Sequence, residues 1–268
     1  MYDGHAPTMD SSTTIILLIL GGALSGFINT LASSGSAITL PLLVLMGVSA
    51  PVANGTNRIP LLAGALAAVI VFQRKKAIDW RGGVILTVPI VLGTAAGAGL
   101  ASVIDAKAMG RAIIAAVVMA LILLMTNAKR MLNMPASGKL YYGWRNHVVF
   151  FFVGVWAGFV VLDSATYLLM GLVFSVGYDL IRANAIKSLL LLVISICSLA
   201  VFTHKHEVDW TMGAFLAVGS IGGAWAGSLL ATKEWAKVWV FRLLVVVILL
   251  EIVNLLLKYG IFKFLPGG

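Results

Sequence analysis

The chain has 268 residues, 60% of them hydrophobic and only 11% charged. A soluble domain carries roughly 25% charged residues, so this composition excludes one and specifies an all-α, polytopic, multi-pass protein of a cell membrane. The formal charge of +9 does not point to nucleic acid, because the basic residues fall in short connections between apolar runs, where positive-inside topology and lipid headgroups account for them.

The single cysteine, Cys197, excludes an intrachain disulfide framework and any cysteine-clustered metal site. No histidine spacing resembles a metal site, and no cofactor is expected. Asp3 and Asp10 occur in the first thirteen residues without a Lys or Arg. The basic start of a secretory signal is missing, and the first apolar run reads as a retained helix.

A membrane span needs about 20 apolar residues. By that rule, residues 1–13 form a polar tail, and apolar segments follow at 15–32, 37–48, 59–72, 82–104 and 108–125. A polar connection centred on 131–146 holds Lys139 and Arg145 as well as Pro135 and Gly138. The second set runs 147–162, 165–176, 185–202, 211–231 and 238–257, with a tail at 261–268. The expected units are a first membrane repeat at 14–130 and a second at 147–260.

The two sets match in detail. The segment from Phe72 through Asp79 and Trp80 to Gly83 aligns without gaps to the one from Phe202 through Asp209 and Trp210 to Gly213. The same register pairs Gly93 and Gly97 with Gly223 and Gly227, and Asn54 with Asn184. A slip of two residues pairs Gly22, Gly26 and Phe27 with Gly154, Gly158 and Phe159. Small residues one turn apart let helices approach closely within lipid, so the glycine pairs read as packing seams. Asp79–Trp80 and Asp209–Trp210 read as helix starts, each with a capping acid and an interfacial tryptophan.

The 37–48 segment is too short to cross as a straight helix. Crossing as a broken helix gives two inverted halves of five segments each. Re-entry gives two parallel halves of four. The loop with Arg74, Lys75, Lys76 and Arg81 is strongly basic, whereas its counterpart at 204–209 sets Lys205 against Glu207 and Asp209. Matched loops of opposite character favour inversion.

Candidate site residues gather where the apolar pattern breaks. Ser33, Ser34 and Ser36 interrupt the first half, and Ser164 and Thr166 answer them in the second. Non-helical backbone at membrane depth persists where it is buried in protein or lines a wet cavity. Helix N-termini there present free amides and partial positive charge to an anion. Asn54, Thr56, Asn57 and Asn184 belong to polar stretches read as turns, and offer amide donors or caps. Arg58 and Lys187 open the next segments, either as headgroup-level cations or as a pair facing an anion across the halves. Asp163, among apolar neighbours, is the candidate for coupling to a proton or cation, with structural pairing as its other reading. The expected partners are a small anionic solute and membrane lipid.

The order of these features is repeated: Gly22-xxx-Gly26-Phe27, a small-residue break, Pro41-Leu42-Leu43, Gly47, Ala53-x-Gly55-Thr56, a basic loop with Ile78-Asp79-Trp80, and a glycine-rich helix at 93–99. It resembles the sulfite exporter TauE/SafE family of membrane permeases from about residue 14 onward. The resemblance implies export or passage of small sulfur-containing anions such as sulfite, sulfoacetate or related organosulfonates, and no enzymatic activity. The break at Ser33–Ser36 departs from the glycine-rich turn frequent in that family, and the copy from Asp163 to Thr166 has no glycine.

Overall fold

A computed structural model describes residues 11–31, 35–101, 140–160, 164–233 and 242. The expected spans at 108–125 and 238–257 lie outside the described residues, as do Ser33, Ser34 and Asp163. Regular structure among the described residues is helical throughout. The first half comprises α1 (Ser11–Leu31), α2 (Ser36–Leu45), α3 (Ala50–Thr56), α4 (Arg58–Arg74) and α5 (Trp80–Ala101). The second comprises α6 (Trp144–Phe159), α7 (Ser164–Met170) continued by a π-helical stretch Gly171–Val176, α8 (Leu180–His204) and α9 (Trp210–Ala231). Five described helical segments are long and apolar enough to span a membrane: Ser12–Leu31, Ala50–Arg74, Trp80–Ala101, Leu180–His204 and Trp210–Ala231. Large apolar side chains such as Leu20, Val84, Val88, Phe152 and Val218 remain on the outside, as a lipid-facing surface requires.

Two helical segments of each half begin and end 130 residues apart. The α3–α4 segment spans Ala50–Arg74 and α8 spans Leu180–His204; α5 and α9 keep the same offset. Their local devices keep it too. Gly47 (φ 87°) and Gly177 (φ 97°) turn the chain in the left-handed region that glycine tolerates. Lys76 and His206 also have positive φ. Beside them Ala77 N bonds Phe72 O at 3.0 Å and Glu207 N bonds Phe202 O at 3.0 Å, the five-residue closure that ends many helices. Asp79 Oδ1 accepts from Gly82 N at 3.1 Å, and Asp209 Oδ1 from Met212 N at 2.9 Å. Both acids cap their helices.

Two sequence expectations need correction. The polar stretches at 53–58 and 183–187 are helical rather than turns. Pro51 in the first turn suits the start of α3, and Asp179 caps α8 by accepting from Ile181 N and Arg182 N at 3.0 Å. Each start lies well before the asparagine, so Asn54, Asn184 and Lys187 sit inside helices. Pro41 does not break α2 either; the helix continues through it.

Contacts fix how the helices run. Arg58, at the start of α4, lies with its guanidinium 5.2 Å from the centroid of the Phe202 ring, near the end of α8. At the opposite end Tyr178, just before α8, donates to Asp79, just beyond α4, at 2.7 Å. Helices α4 and α8 are therefore antiparallel. Helix α9 runs alongside α4, with Ile59 against Gly213 and Arg74 5.3 Å from the Trp225 ring centroid. Helix α5 runs alongside α8, with Leu189 against Gly83 and Cys197 beside Val91.

The glycine seams lie between the halves. Helix α1 packs on α9, where a Cβ at Gly22 would stand 2.1 Å from Leu216 O and one at Gly223 would stand 1.8 Å from Ala23 O. Helix α5 packs on α6, where Gly97 and Gly158 meet Val155 O and Thr94 O just as closely, at 1.9 and 2.2 Å. Any side chain there forces the backbones apart, so these glycines set the distance between the halves.

Candidate functional site

The buried cations carry the most informative geometry. Arg58 and Lys187 are both 0% exposed. Both side chains are enclosed by the protein. Arg58 donates through Nη1 to Ala157 O at 2.6 Å and through Nη2 to Gly158 O at 3.2 Å, in the last turn of α6. Asn54 Nδ2, one turn earlier, donates to Phe159 O at 3.3 Å. Lys187 Nζ donates to Asn29 O at 2.9 Å and Thr30 O at 3.3 Å, in the last turn of α1. Its third bond goes to Asn184 Oδ1 at 2.8 Å.

Each cation thus reaches out of its own half to the C-terminal carbonyls of a helix in the other. The last carbonyls of a helix have no partner within it and carry its partial negative charge. A cation at the centre of a lone membrane helix costs roughly 2.5–3.5 kcal/mol. Hydrogen bonds from a charged donor contribute about 1.5–3 kcal/mol each, so two or three of them offset that cost. Among the described residues no carboxylate pairs with either cation.

A small polar cavity lies beside the last turns of α1. Ser25, Gly26 and Asn29 of α1 line it, with Ser36 at the start of α2, Asn57, Leu61 and Gly64 around α4, and Ser220 and Ala224 midway along α9. It has about 10 Å³ of space for the centre of a water, enough for a single molecule. Thr39 Oγ1 lies 2.5 Å from Asn57 Oδ1, a separation typical of an O–H donor, which leaves the amide nitrogen for the cavity. Asn57 is 2% exposed and its Nδ2 has no partner. Arg58 Nε, on the next residue, has none either. Ser25 Oγ gives its proton to Gly35 O at 2.8 Å, and Ser220 Oγ to Pro60 O at 2.7 Å. Both hydroxyls keep lone pairs free to accept.

The mirrored positions are only partly polar: Thr166 stands in the place of Ser36 and Thr94 in that of Ala224. The positions 130 residues from Ser220 and Gly64 are Ile90 and Ile194, both fully buried. Lys187 stands in the place of Asn57. Bulky apolar side chains thus stand at two of the mirrored positions.

A second cluster ties the halves outside the spans. Tyr142 and Tyr178 both donate to Asp79 Oδ2, at 2.9 and 2.7 Å, and their hydroxyls lie 2.5 Å apart. Gly82 makes room, since a Cβ there would stand 2.1 and 2.2 Å from the two phenol oxygens. Burial pushes the Asp79 carboxyl up. Hydrogen bonds from Gly82, the two tyrosines and the Arg81 amide outweigh it and hold the acid below the usual carboxylate range. Burial is the main cause that raises both phenols above the ordinary tyrosine value, and the neighbouring carboxylate adds to it.

Of the residues singled out in the sequence, the structure brings Ser36 and Asn57 to the cavity and places Arg58, Asn54, Lys187 and Asn184 at the two helix ends. Thr56 Oγ1 accepts from Asp209 N at 2.8 Å and joins α3 to the start of α9. Ser164 and Thr166 are buried in the first turn of α7. Sequence reasoning missed Ser25, Asn29, Gly64 and Ser220, although Ser25 and Ser220 each stand next to a seam glycine. It also missed the two tyrosines. Among the described residues no group of three His, Cys, Asp or Glu is placed to hold a metal.

Known proteins share this chain's sequence over most of its length. It is 27% identical over 214 residues to a "Probable membrane transporter protein" of Haemophilus influenzae, covering 80% of this chain and 84% of that one. It is 27% identical over 241 residues to the "Probable membrane transporter protein YfcA" of Escherichia coli, covering 86% and 87%. A "Probable membrane transporter protein" of Xylella fastidiosa is 29% identical over 228 residues, covering 82% and 86%. The family described as "Sulfite exporter TauE/SafE" matches residues 18–255, and the chain is therefore a membrane transporter of the TauE/SafE family.

Proposed function

We propose that the protein is a secondary transporter of small sulfur-containing anions, such as sulfite, sulfoacetate or another organosulfonate, carried between two inverted repeats in the cell membrane. The observation that carries the reading is the cavity itself. It sits midway along α9, it presents an unpartnered amide donor from Asn57, and two of its lining residues adjoin buried cations that have no carboxylate partner among the described residues: Arg58 follows Asn57 in the chain, and Lys187 bonds Asn29 O. An oxyanion supplies the acceptor that Asn57 Nδ2 lacks and the charge that Arg58 and Lys187 lack. The start of α2, at Ser36, adds the positive end of a short helix. Because the cavity is water-sized here, loading an anion requires the halves to part.

Inversion is supported by the helix directions: α4 and α8 occupy matched places 130 residues apart and run antiparallel. A seam that joins α1 to α9 and α5 to α6 lets one half rock on the other, as alternating access requires. Asp163 remains the candidate for coupling to a proton or cation.

Flux tests the reading. Proteoliposomes loaded with labelled sulfite, sulfoacetate, taurine or chloride are expected to exchange the sulfur anions and retain chloride. Exchange of none of the sulfur anions, by protein that is folded and inserted, sinks the proposal. Loss of flux on collapsing the proton gradient supports coupling.

A further inference from the structure

Lys187 and Arg58 look alike in the sequence but differ in what they have left to give. A lysine ammonium has three N–H donors. Lys187 Nζ has three oxygen partners at 2.8, 2.9 and 3.3 Å, so every donor is used. Arg58 keeps its Nε free. The three oxygens around Lys187 are two carbonyls from the end of α1 and one amide oxygen from its own helix. Helix-terminal carbonyls of this kind coordinate free monovalent cations in other transporter folds. Here the position is filled by a cation attached to the chain.

We propose that Lys187 is a tethered cation in a three-oxygen cage at the end of α1, a positioning residue that holds the Asn29 wall of the cavity. Truncating it opens a binding site for a free primary alkylammonium ion. The attachment has a physical consequence. A bound ion leaves when its concentration falls, whereas Lys187 cannot, so the end of α1 stays joined to α8 whatever the ionic conditions. Asn29 carries both roles, with its carbonyl in the cage and the residue itself on the cavity. Lys187 acts on the solute through that residue. The inference depends on the anion-transport reading only for its flux arm; the cage and its occupant stand apart from it.

Lys187→Ala removes the three outer carbons and the ammonium, which n-propylammonium replaces atom for atom. The purified variant is expected to show a saturable rise in thermal unfolding midpoint with propylammonium. Methylammonium should give a smaller rise, and tetramethylammonium, which has no N–H, should give none at matched ionic strength. Wild type and Lys187→Met, whose side chain fills the stem's space, should not respond. In proteoliposomes the same amine should restore flux to Lys187→Ala, chiefly by lowering the KM for the anion.

Equal responses of the Ala and Met variants, or a response indifferent to chain length and N–H count, overturn the proposal. So does a Lys187→Ala protein that cannot be recovered folded either with or without propylammonium. Amine-dependent stabilisation in the absence of wild-type flux supports the cage and rejects only the transport reading.

Discussion

Arg58 Nη1 lies 2.6 Å from Ala157 O, joining residues 99 apart in the chain. A planar fork spans two successive carbonyls, and a compact ammonium does not. Arg58→Lys should therefore keep the charge but lose one of the two bonds, lowering stability by roughly 1–3 kcal/mol. Flux should fall as well, because the free Nε disappears. Unfolding in denaturant together with anion flux checks both, and a Lys variant with wild-type values in both assays rejects this role for the guanidinium.

Gly64 stands where a Cβ would lie 2.5 Å from Ser220 Oγ and 3.4 Å from the Ala224 Cβ. Rotating the hydroxyl aside gives up its bond to Pro60 O, about 0.5–1.5 kcal/mol, which the gain from alanine in place of glycine in a helix, about 0.5–1 kcal/mol, roughly offsets. Gly64→Ala should thus remain as stable as wild type while narrowing the cavity. Transport should drop sharply with the unfolding midpoint held. Wild-type flux in this variant would place the solute elsewhere.

Neighbouring glycines of α9 offer an internal control. A Cβ at Gly222 meets nothing within 4 Å, whereas one at Gly223 would stand 1.8 Å from Ala23 O. Gly222→Ala should be neutral or stabilising by about 0.5–1 kcal/mol. Gly223→Ala should be destabilising by roughly 1–3 kcal/mol, the usual cost of overpacking. Comparing the two melting curves tests whether the α1–α9 seam sets the distance between the halves.

The Asp79 cluster predicts a pH effect of definite sign. Its carboxyl is held below its ordinary value in the folded protein, so between the folded and unfolded values the unfolded chain binds more protons, and stability rises with pH. The contribution is complete above the unfolded value of about 3.9 and is lost as pH falls through the lower, folded value. Asp79→Asn should flatten that acid limb of the melting profile. Tyr178→Phe should weaken the limb, because Tyr142 continues to donate. An unchanged limb in Asp79→Asn would assign the acid sensitivity to other carboxylates.

Much of this architecture is legible in residue order alone. Apolar length reveals the spans, and the Asp–Trp pairs reveal helix starts at Trp80 and Trp210, because a cap and an interfacial ring are local devices. Asn54 and Asn184 mislead for the opposite reason. Asparagine is common in turns, but here Pro51 and Asp179 start the helices earlier, Asn54 donates to Phe159 O, and Asn184 accepts from Lys187 within its own helix. The partners of Arg58 and Lys187 are backbone carbonyls roughly a hundred or more residues away, and a carbonyl carries no residue signature. Ser25 and Ser220 are equally quiet in sequence. A serine inside an apolar helix reads as bonded to its own turn, whereas these two bond across elements, to Gly35 O and Pro60 O.

Ile90 and Ile194 fill the places that mirror Ser220 and Gly64, and this bears on stoichiometry. The cavity is lined by α1, α2 and α4 of one half and α9 of the other, and a strict twofold relation between the halves would repeat it at the mirrored positions as a second berth. With one berth packed by isoleucine, a single chain should bind one anion at saturation.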